Sequence, residues 1–367
     1  MRTMAICCVA ILLARAGASA AWAQNQNISG RVVDARGKPV DGAMLATRWT
    51  LEDKRLVPKE DVKTADDGTF AGKIWFYQRP VAVMVLDAGQ KRGAVVMIDA
   101  KDIDQPLNLT VVELVFTKGT IDDQALPPAK APCSVEINAP GKLDLIDLGD
   151  QPKQFSCRLP PGEYELYVAR EDAEPLWKKA TIGKRSTPVN LGTLKLKPTK
   201  MAESYGNPAP DWEITAARGV DARVKLADYK GKWVLIEFWA FWCGPCVSDG
   251  LPKLIELDSR YSDRRDQYVI LTIHDQQAKT FEELDRKLAE KNIPKKYWNG
   301  AALPFPILLD GDGETARRWG IHAWPTLVLI DPQGRIVKAG RATVVRPLFE
   351  DALAKSPGQK TRKKRDS

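Results

Sequence analysis

The pattern of apolar and polar positions divides the chain into two parts. In the first part, short apolar segments recur with turn residues between them, and few segments have a helical period. Short strands at this spacing are typical of an all-β sandwich. The predicted strand regions are residues 28–33, 40–49, 69–75, 81–86, 92–98, 114–121, 134–137, 163–168 and 189–196.

The second part alternates buried apolar runs with segments that have apolar residues at helical spacing. Such alternation predicts an α/β sheet with helices packed on its faces. The predicted strands are residues 233–239, 267–273, 306–310, 324–330 and 335–339, and the predicted helices are 246–261, 280–291, 314–319 and 348–354.

A polar, proline-rich stretch at residues 197–210 marks the boundary between the two parts. We predict tandem all-β sandwich modules followed by an α/β domain. The predicted ranges are 24–113 for the first β-module, 114–198 for the second, 199–355 for the α/β domain and 356–367 for a disordered basic tail. One larger sandwich that spans both β-modules is the alternative.

The first 23 residues have the features of a secretion signal. Arg2 is followed by an unbroken apolar stretch from Met4 to Ala14, and the small residues around Ala21 and Ala23 fit a cleavage site before Gln24. The apolar stretch is too short to span a bilayer as a helix. We therefore expect an exported protein, periplasmic or otherwise extracytoplasmic, with an uncleaved membrane anchor as the alternative.

Composition predicts a folded protein, with 44% hydrophobic and 28% charged residues. The net charge of +8 comes mostly from the two ends, because the tail after Lys355 has five basic residues and one aspartate. This distribution argues against a basic face for nucleic acid. Peripheral contact of the tail with a membrane or cell wall is an open possibility.

Four cysteines follow the predicted signal, an even number that fits two disulfides in an exported chain. Each cysteine has one partner nearby in the sequence, which predicts a structural disulfide Cys133–Cys157 and a second pair, Cys243–Cys246. Two buried thiols are the alternative for the first pair. A tetrahedral metal site needs about four ligands, and the chain has only two histidines, so we predict no metal and no cofactor.

The Cys-Gly-Pro-Cys sequence at Cys243–Cys246 lies where a buried strand leads into a helix. Backbone N–H groups at a helix N-terminus stabilise a thiolate, so Cys243 is the predicted attacking sulfur and Cys246 the resolving one. Glu237 interrupts the apolar strand before them. Burial would raise the pKa of Glu237 and suit it to act as a base for Cys246; a strand-end glutamate that reaches solvent is the alternative.

The second part resembles the thioredoxin fold, and within it the TlpA/ResA-like extracytoplasmic thiol–disulfide reductases. The resemblance covers about 150 residues and includes a central insertion. It implies that Pro325 is a cis-proline beside the disulfide, that Trp324 and Trp242 help to bind substrate, and that Glu237 relays the proton of the second cysteine. The motifs that carry the resemblance are Pro-Ala-Pro-Asp-Trp at 208–212, the strand and cysteine motif at 233–246, Trp-Pro-Thr at 324–326 and the turn at 329–334.

The first β-module resembles the carboxypeptidase regulatory-like (prealbumin-like) domain. The resemblance is carried by a glycine-rich pattern at residues 30–43 and by Asp-Gly-Thr-Phe at 67–70. Such domains have no catalytic residues, and the module offers none.

One feature fits the resemblance less well. Family members usually have a proline five residues after the second cysteine, whereas Pro252 is six residues after Cys246, so the first turn of this helix is expected to be irregular. His274 and His322 lie near the expected site, but we leave both out of the catalytic set.

These observations predict an exported thiol–disulfide oxidoreductase that acts as a reductant. Its expected partners are disulfide-bearing extracytoplasmic proteins and a membrane thiol relay as electron donor. A disulfide-forming oxidase and a peroxiredoxin-like peroxidase are alternatives, and so is a binding protein in which the β-modules have the main role.

Overall fold

The computed structural model describes residues 24–60, 62–76, 80–99, 105–128, 132–184 and 187–355. The predicted signal at residues 1–23 and the predicted basic tail lie outside these residues. Among the described residues, no helix is long and apolar enough to cross a membrane. The chain divides into two compact units. Of the described residues, one unit contains those up to Thr120 with Ser134–Val168 and Leu176–Thr193, and the other contains Ile121–Cys133, Ala169–Pro175 and those from Leu194 onward.

The N-terminal part of the chain is all-β among the described residues, as predicted. The first nine strands are β1 (Gln24–Asp34), β2 (Met44–Ala46), β3 (Trp49–Glu52), β4 (Arg55–Pro58), β5 (Val62–Lys63), β6 (Thr69–Phe76), β7 (Val81–Leu86), β8 (Arg92–Ile98) and β9 (Leu107–Glu113). The next seven are β10 (Val115–Asp122), β11 (Cys133–Ala139), β12 (Leu143–Gln151), β13 (Gln154–Leu159), β14 (Gly162–Ala169), β15 (Leu176–Ile182) and β16 (Val189–Lys195).

These strands form three sheets, in the orders β5-β2-β7-β8-β9-β1-β6, β13-β10-β16 and β15-β14-β11-β12-β3-β4. The third sheet crosses the predicted module boundary at residues 113–114. Trp49 of β3 pairs in parallel with Ile146 of β12, so a hairpin of the first predicted module extends the sheet of the second. The several sheets are consistent with the predicted tandem β-modules, although this hairpin crosses the predicted boundary, and the predicted domain ranges stay predictions.

The predicted disulfide between Cys133 and Cys157 is not formed, and both residues are buried thiols. They belong to different sheets: Cys133 begins β11, whereas Cys157 lies on β13 opposite Thr117 of β10. The Thr117 hydroxyl lies 3.5 Å from the Cys157 sulfur. Burial raises the pKa of the Cys157 thiol to about 12, so this thiol stays protonated and unreactive. The alternative of two buried thiols is therefore correct.

The C-terminal part has the predicted α/β architecture. Its strands are β17 (Ala216–Arg218), β18 (Trp233–Trp239), β19 (Tyr268–His274), β20 (Ile307–Leu309), β21 (Thr326–Ile330) and β22 (Ile336–Gly340). Its helices are α1 (Lys200–Glu203), α2 (Leu251–Arg260), α3 (Phe281–Glu290), α4 (Ile293–Tyr297), α5 (Glu314–Trp319) and α6 (Ala342–Lys355). The sheet order is β17-β20-β19-β18-β21-β22, with β18, β19 and β20 mutually parallel.

The central strand β18 buries both of its faces. Val234, Ile236 and Phe238 enter one apolar core, and Leu235 and Trp239 enter the other. Since side chains alternate along a strand, Glu237 lies on the same face as Leu235 and Trp239. That face is the one that α2 and α6 cover with Leu254 and Phe349.

A close approach between strands β1 and β9 constrains Gly30. A Cβ added at this position would lie 2.7 Å from the backbone nitrogen of Leu107, the residue with which Gly30 pairs in parallel. We expect Gly30→Ala to lower the free energy of unfolding by about 1–3 kcal/mol, because the backbone of Leu107 has to move.

Urea denaturation of the full chain measures this change. Gly89→Ala is the matched control, since the nearest heavy atom to its added Cβ is a side-chain carbon of Lys91 at 3.9 Å. Equal stability of the Gly30→Ala and Gly89→Ala variants would contradict the packing of β1 against β9.

Candidate active site

The two cysteines of the motif form a disulfide at the end of β18. The Cys243 side chain keeps a small exposure, at 5% for the residue, whereas Cys246 is fully buried. The backbone N–H of Cys246 lies 3.2 Å from the Cys243 sulfur, in position to stabilise negative charge there. The geometry thus makes Cys243 the accessible sulfur and Cys246 the enclosed one.

The helix after the cysteines begins with a π-helical turn over Cys246–Gly250, and α2 then starts at Leu251. The N–H of Leu251 donates to the carbonyl of Cys246, five residues earlier. A π-turn holds one residue more than an α-turn. This extra residue explains why Pro252 lies six residues after Cys246, and it confirms the irregular first turn.

Glu237 is fully buried beneath this turn. A Cβ added at Gly250 would lie 2.5 Å from Glu237 Oε1, so the glycine faces the carboxylate directly. Within the described part of the chain, neither carboxylate oxygen has a hydrogen-bond partner. Burial raises the pKa of Glu237 to about 8, while the positive charge of Arg346 opposes this shift. The alternative of a solvent-reaching glutamate does not hold.

The peptide bond between Trp324 and Pro325 is cis. Both residues are half-buried and directly precede β21, which pairs with β18. The Trp324 ring packs against the ring of Trp242, with 5.9 Å between the centroids. Trp242 is the most exposed large apolar side chain of the described residues, at 48%. These aromatic rings form a surface beside the accessible sulfur.

The sequence analysis missed the role of two residues at the end of β19. His274 is fully buried, and its Nε2 accepts the backbone N–H of Phe241 at 3.0 Å. Its other nitrogen, Nδ1, then carries the proton and donates to the carbonyl of Asp275 at 2.9 Å. The imidazole also stacks on the Phe241 ring, with centroids 5.6 Å apart. Burial lowers the pKa of His274 to about 4, so the ring is neutral at physiological pH.

Asp275 makes hydrogen bonds to the loop between β18 and Cys243. Its Oδ2 accepts the indole N–H of Trp242 at 2.8 Å, and its backbone N–H donates to the carbonyl of Trp239 at 3.1 Å. Burial raises the pKa of Asp275 above its ordinary value. The available sequence signal was an adjacent His and Asp at the carboxyl end of a buried strand next to the cysteine strand.

His322, the other histidine, lies exposed in the loop before Trp324, and the described residues give it no hydrogen bond to the disulfide loop. The site therefore combines an accessible sulfur, an enclosed sulfur, a buried carboxyl group and an aromatic surface. This combination can exchange disulfides: one sulfur attacks, its neighbour resolves, and the carboxyl group can take or give a proton.

Comparisons with known proteins agree with this chemistry. Residues 205–339 match the AhpC/TSA family. The chain is 30% identical over 150 residues to the thiol-disulfide oxidoreductase ResA of Bacillus thuringiensis subsp. konkukian (strain 97-27), a match that covers 41% of this chain and 77% of the relative. It is 27% identical over 154 residues to ResA of Bacillus subtilis (strain 168), covering 42% of this chain and 76% of that protein.

Among solved structures, the chain is similar to the exposed lipoprotein thioredoxin of Streptococcus pneumoniae strain TIGR4. The identity is 27%, the TM-score is 0.30, and the alignment covers 40% of this chain and all of that one. The extent of the ResA match identifies the family: through its C-terminal thioredoxin-like domain, the chain belongs to the ResA-like thiol-disulfide oxidoreductases.

Proposed function

We propose that the protein reduces disulfides of extracytoplasmic proteins through the Cys243–Cys246 dithiol. The observation that carries this proposal is the unequal exposure of the two sulfurs above a buried carboxyl group. In the reduced enzyme, the Cys243 thiolate attacks a substrate disulfide, forming a mixed disulfide and releasing one substrate thiolate. Cys246 then attacks Cys243, which forms the enzyme disulfide and releases the second substrate thiolate.

Glu237 accepts the proton that Cys246 loses as it becomes a nucleophile. A base works best when its pKa lies near the working pH, and burial raises the pKa of Glu237 to about 8. Trp242, Trp324 and Pro325 contribute the surface on which the substrate lies. The spent disulfide needs two electrons from outside, for which a membrane thiol relay is the proposed donor.

Export is part of the proposal and is supported by the signal-like residues 1–23. Contact of the basic tail with a membrane or cell wall stays a prediction. The ResA matches do not account for the β-rich part. This part has no assigned role in the exchange reaction itself.

A peroxidase is the second candidate, because residues 205–339 match the AhpC/TSA family. The close pair Cys243–Cys246 supports disulfide exchange instead. Peroxide consumption by the reduced protein at a rate above that of its disulfide reduction would favour the peroxidase.

The first prediction from this proposal concerns the reduction potential of Cys243–Cys246. We expect a value near that of thioredoxins, about −270 mV, because a Gly-Pro pair separates the cysteines as in those proteins. Equilibration of the full chain with thiol–disulfide buffers measures it. A potential above about −150 mV would contradict the reductase and favour the oxidase.

The Cys246→Ser variant identifies the substrates. It lacks the resolving sulfur, so the mixed disulfide between Cys243 and the substrate persists and can be isolated.

The second prediction concerns Glu237→Gln. We expect turnover to fall about 100-fold at pH 7, because the variant lacks a base for Cys246. Wild-type turnover should rise as the pH approaches 8, and this rise should be absent in the variant. The pH–rate profile on a protein disulfide measures both effects, with Glu256→Gln on the exposed face of α2 as control.

Stability provides an independent check on the same residue. Because the folded-state pKa of Glu237 is raised from 4.5 to about 8, the folded protein holds a proton that the unfolded chain releases between these pH values. Wild-type stability should therefore fall from pH 4.5 to 8 relative to Glu237→Gln, by up to about 5 kcal/mol in the oxidised protein. If the free energies of unfolding of the two proteins changed equally over this pH range, burial would not raise the pKa of Glu237.

The third prediction concerns His274 as a positioning residue. His274→Leu removes the acceptor of the Phe241 N–H, which leaves a buried donor unpaired at a cost of about 1–3 kcal/mol. Because the loop to Cys243 loosens, we expect the thiol pKa of Cys243 to rise and kcat to fall about tenfold. Thiolate absorbance and steady-state kinetics measure these changes.

His274→Gln is the matched variant, since its amide oxygen can accept at the position of Nε2, and it should restore part of both values. An unchanged Cys243 pKa in a folded His274→Leu protein would reduce His274 to a core packing residue.

A further inference from the structure

A cavity of about 420 Å³ lies beside the loop that carries the cis-proline. Ala323 and Thr326, which flank Trp324 and Pro325 in the sequence, both line this cavity. Trp324 in turn packs on Trp242, next to the accessible sulfur. The cavity is therefore lined by the two chain neighbours of the Trp324–Pro325 pair that we place in contact with the substrate.

One wall of the cavity comes from residues 171–175, which connect strands β14 and β15. Within the second compact unit, these residues are held by several polar contacts. The buried carboxylate of Asp172 accepts the hydroxyl of Tyr205 at 2.6 Å and pairs with Lys338 of β22. The carbonyl of Asp172 accepts the N–H of Thr199 at 2.8 Å. This wall is thus fixed in place, and a thioredoxin-like domain alone would lack it.

The lining combines an apolar floor with an acidic rim. Lys338 neutralises Asp172, so Glu171 and Glu174 supply the remaining negative charge. Lys200 also lines the cavity, with its Nζ 3.5 Å from the carbonyl of Arg317, so its positive charge offsets one of the two glutamates and the rim keeps a net negative charge. The apolar residues of the floor are Pro175, Met201, Ile321, Ala323 and Ala339.

Glu171 is held at the edge of the catalytic domain. Its Oε1 accepts the N–H of Arg341 at 3.2 Å, and it fills the space that a side chain at Gly340 would need. Glu174 is exposed, and its backbone N–H donates to the carbonyl of Lys197 at 2.9 Å. Both residues are therefore anchored where they line the cavity, Glu171 through its carboxylate and Glu174 through its backbone.

We propose that this cavity is a subsite for a lysine or arginine side chain of the substrate, close in sequence to the cysteine under attack. Such side chains have an apolar stem and a cationic end, which match the apolar floor and the acidic rim. The subsite rests on the proposed disulfide reduction. It assigns residues 171–175 a role in substrate choice.

The test compares matched peptide disulfides as substrates of the full-length reduced protein. Each peptide carries Lys, Glu, Leu or Ala at one of the three positions on either side of its cysteine. We expect kcat/KM for the best Lys peptide to exceed that for the matching Glu and Leu peptides about tenfold at low salt, and the ratio to shrink in high salt.

Two variants locate the preference. Glu174→Lys should bring the Lys-to-Glu ratio to about one or below, and Ala323→Leu, which narrows the cavity, should lower it at unchanged charge. Glu256→Lys, an equal charge change at an exposed position on α2, should leave the ratio as in the wild type.

The outcomes separate the subsite from the enzyme activity. Turnover of all peptides and of uncharged hydroxyethyl disulfide without any charge preference would overturn the subsite and leave the reductase intact. No turnover of any disulfide by the wild type would overturn the proposed function, and the subsite with it. A preference for Leu peptides, or a Lys preference that survives in Glu174→Lys, would also overturn the assignment of a basic side chain.

Discussion

The burial of one carboxyl group beneath the cysteine helix is the constraint on which the catalytic domain depends. A charged carboxylate in an apolar core without hydrogen bonds costs several kcal/mol, so burial raises the pKa of Glu237 to about 8, and the carboxyl group is mostly neutral below that pH and able to exchange its proton near it. Space for it comes from Gly250, where any side chain would collide with Oε1. Gly250 reaches that position because the helix starts with a π-turn. The glutamate, the glycine and the irregular turn therefore form one structural unit.

Around this unit, the ends of three neighbouring strands supply the rest of the site. Strand β18 ends in the loop to Cys243, β19 ends at His274, and β21 begins just after Pro325. Because β21 runs antiparallel to β18, its first residues lie at the same edge of the sheet as the last residues of β18 and β19. His274 then ties the backbone of one loop to the next strand by a hydrogen bond. The register of the sheet thus sets the position of the two cysteines, even without the contacts of their side chains.

Much of this could be predicted from the sequence, because the decisive signals are local. An acidic residue in an otherwise apolar run revealed Glu237, the spacing of Pro252 revealed an irregular turn, and helix α5 matches its predicted range of 314–319. The role of His274 could not be read in this way. A histidine at a strand end, even with an aspartate beside it, gives the same sequence signal whether it packs in a core or accepts a backbone N–H from a neighbouring loop.

The β-rich part shows the same limit more strongly. Alternation identified its strands, but partner choice between strands depends on contacts far apart in the sequence, such as that of Trp49 with Ile146. The same limit explains the wrong disulfide: Cys133 and Cys157 are close in sequence, yet their strands join different sheets.

Residues 169–175 connect two strands of the β-rich part. In the described residues, this segment leaves the β-rich part and belongs to the compact unit of the catalytic domain, held there through Asp172 and Lys338. A buried ion pair is weak evidence for stability, since desolvation offsets much of its attraction. Its more direct effect is to fix geometry, and here the geometry it fixes is that of Glu171 beside Gly340. A dithiol with a thioredoxin-like environment reacts with many disulfides, so selectivity has to come from surfaces that surround it. In the proposed subsite, the segment supplies such a surface and leaves the sulfur chemistry unaltered.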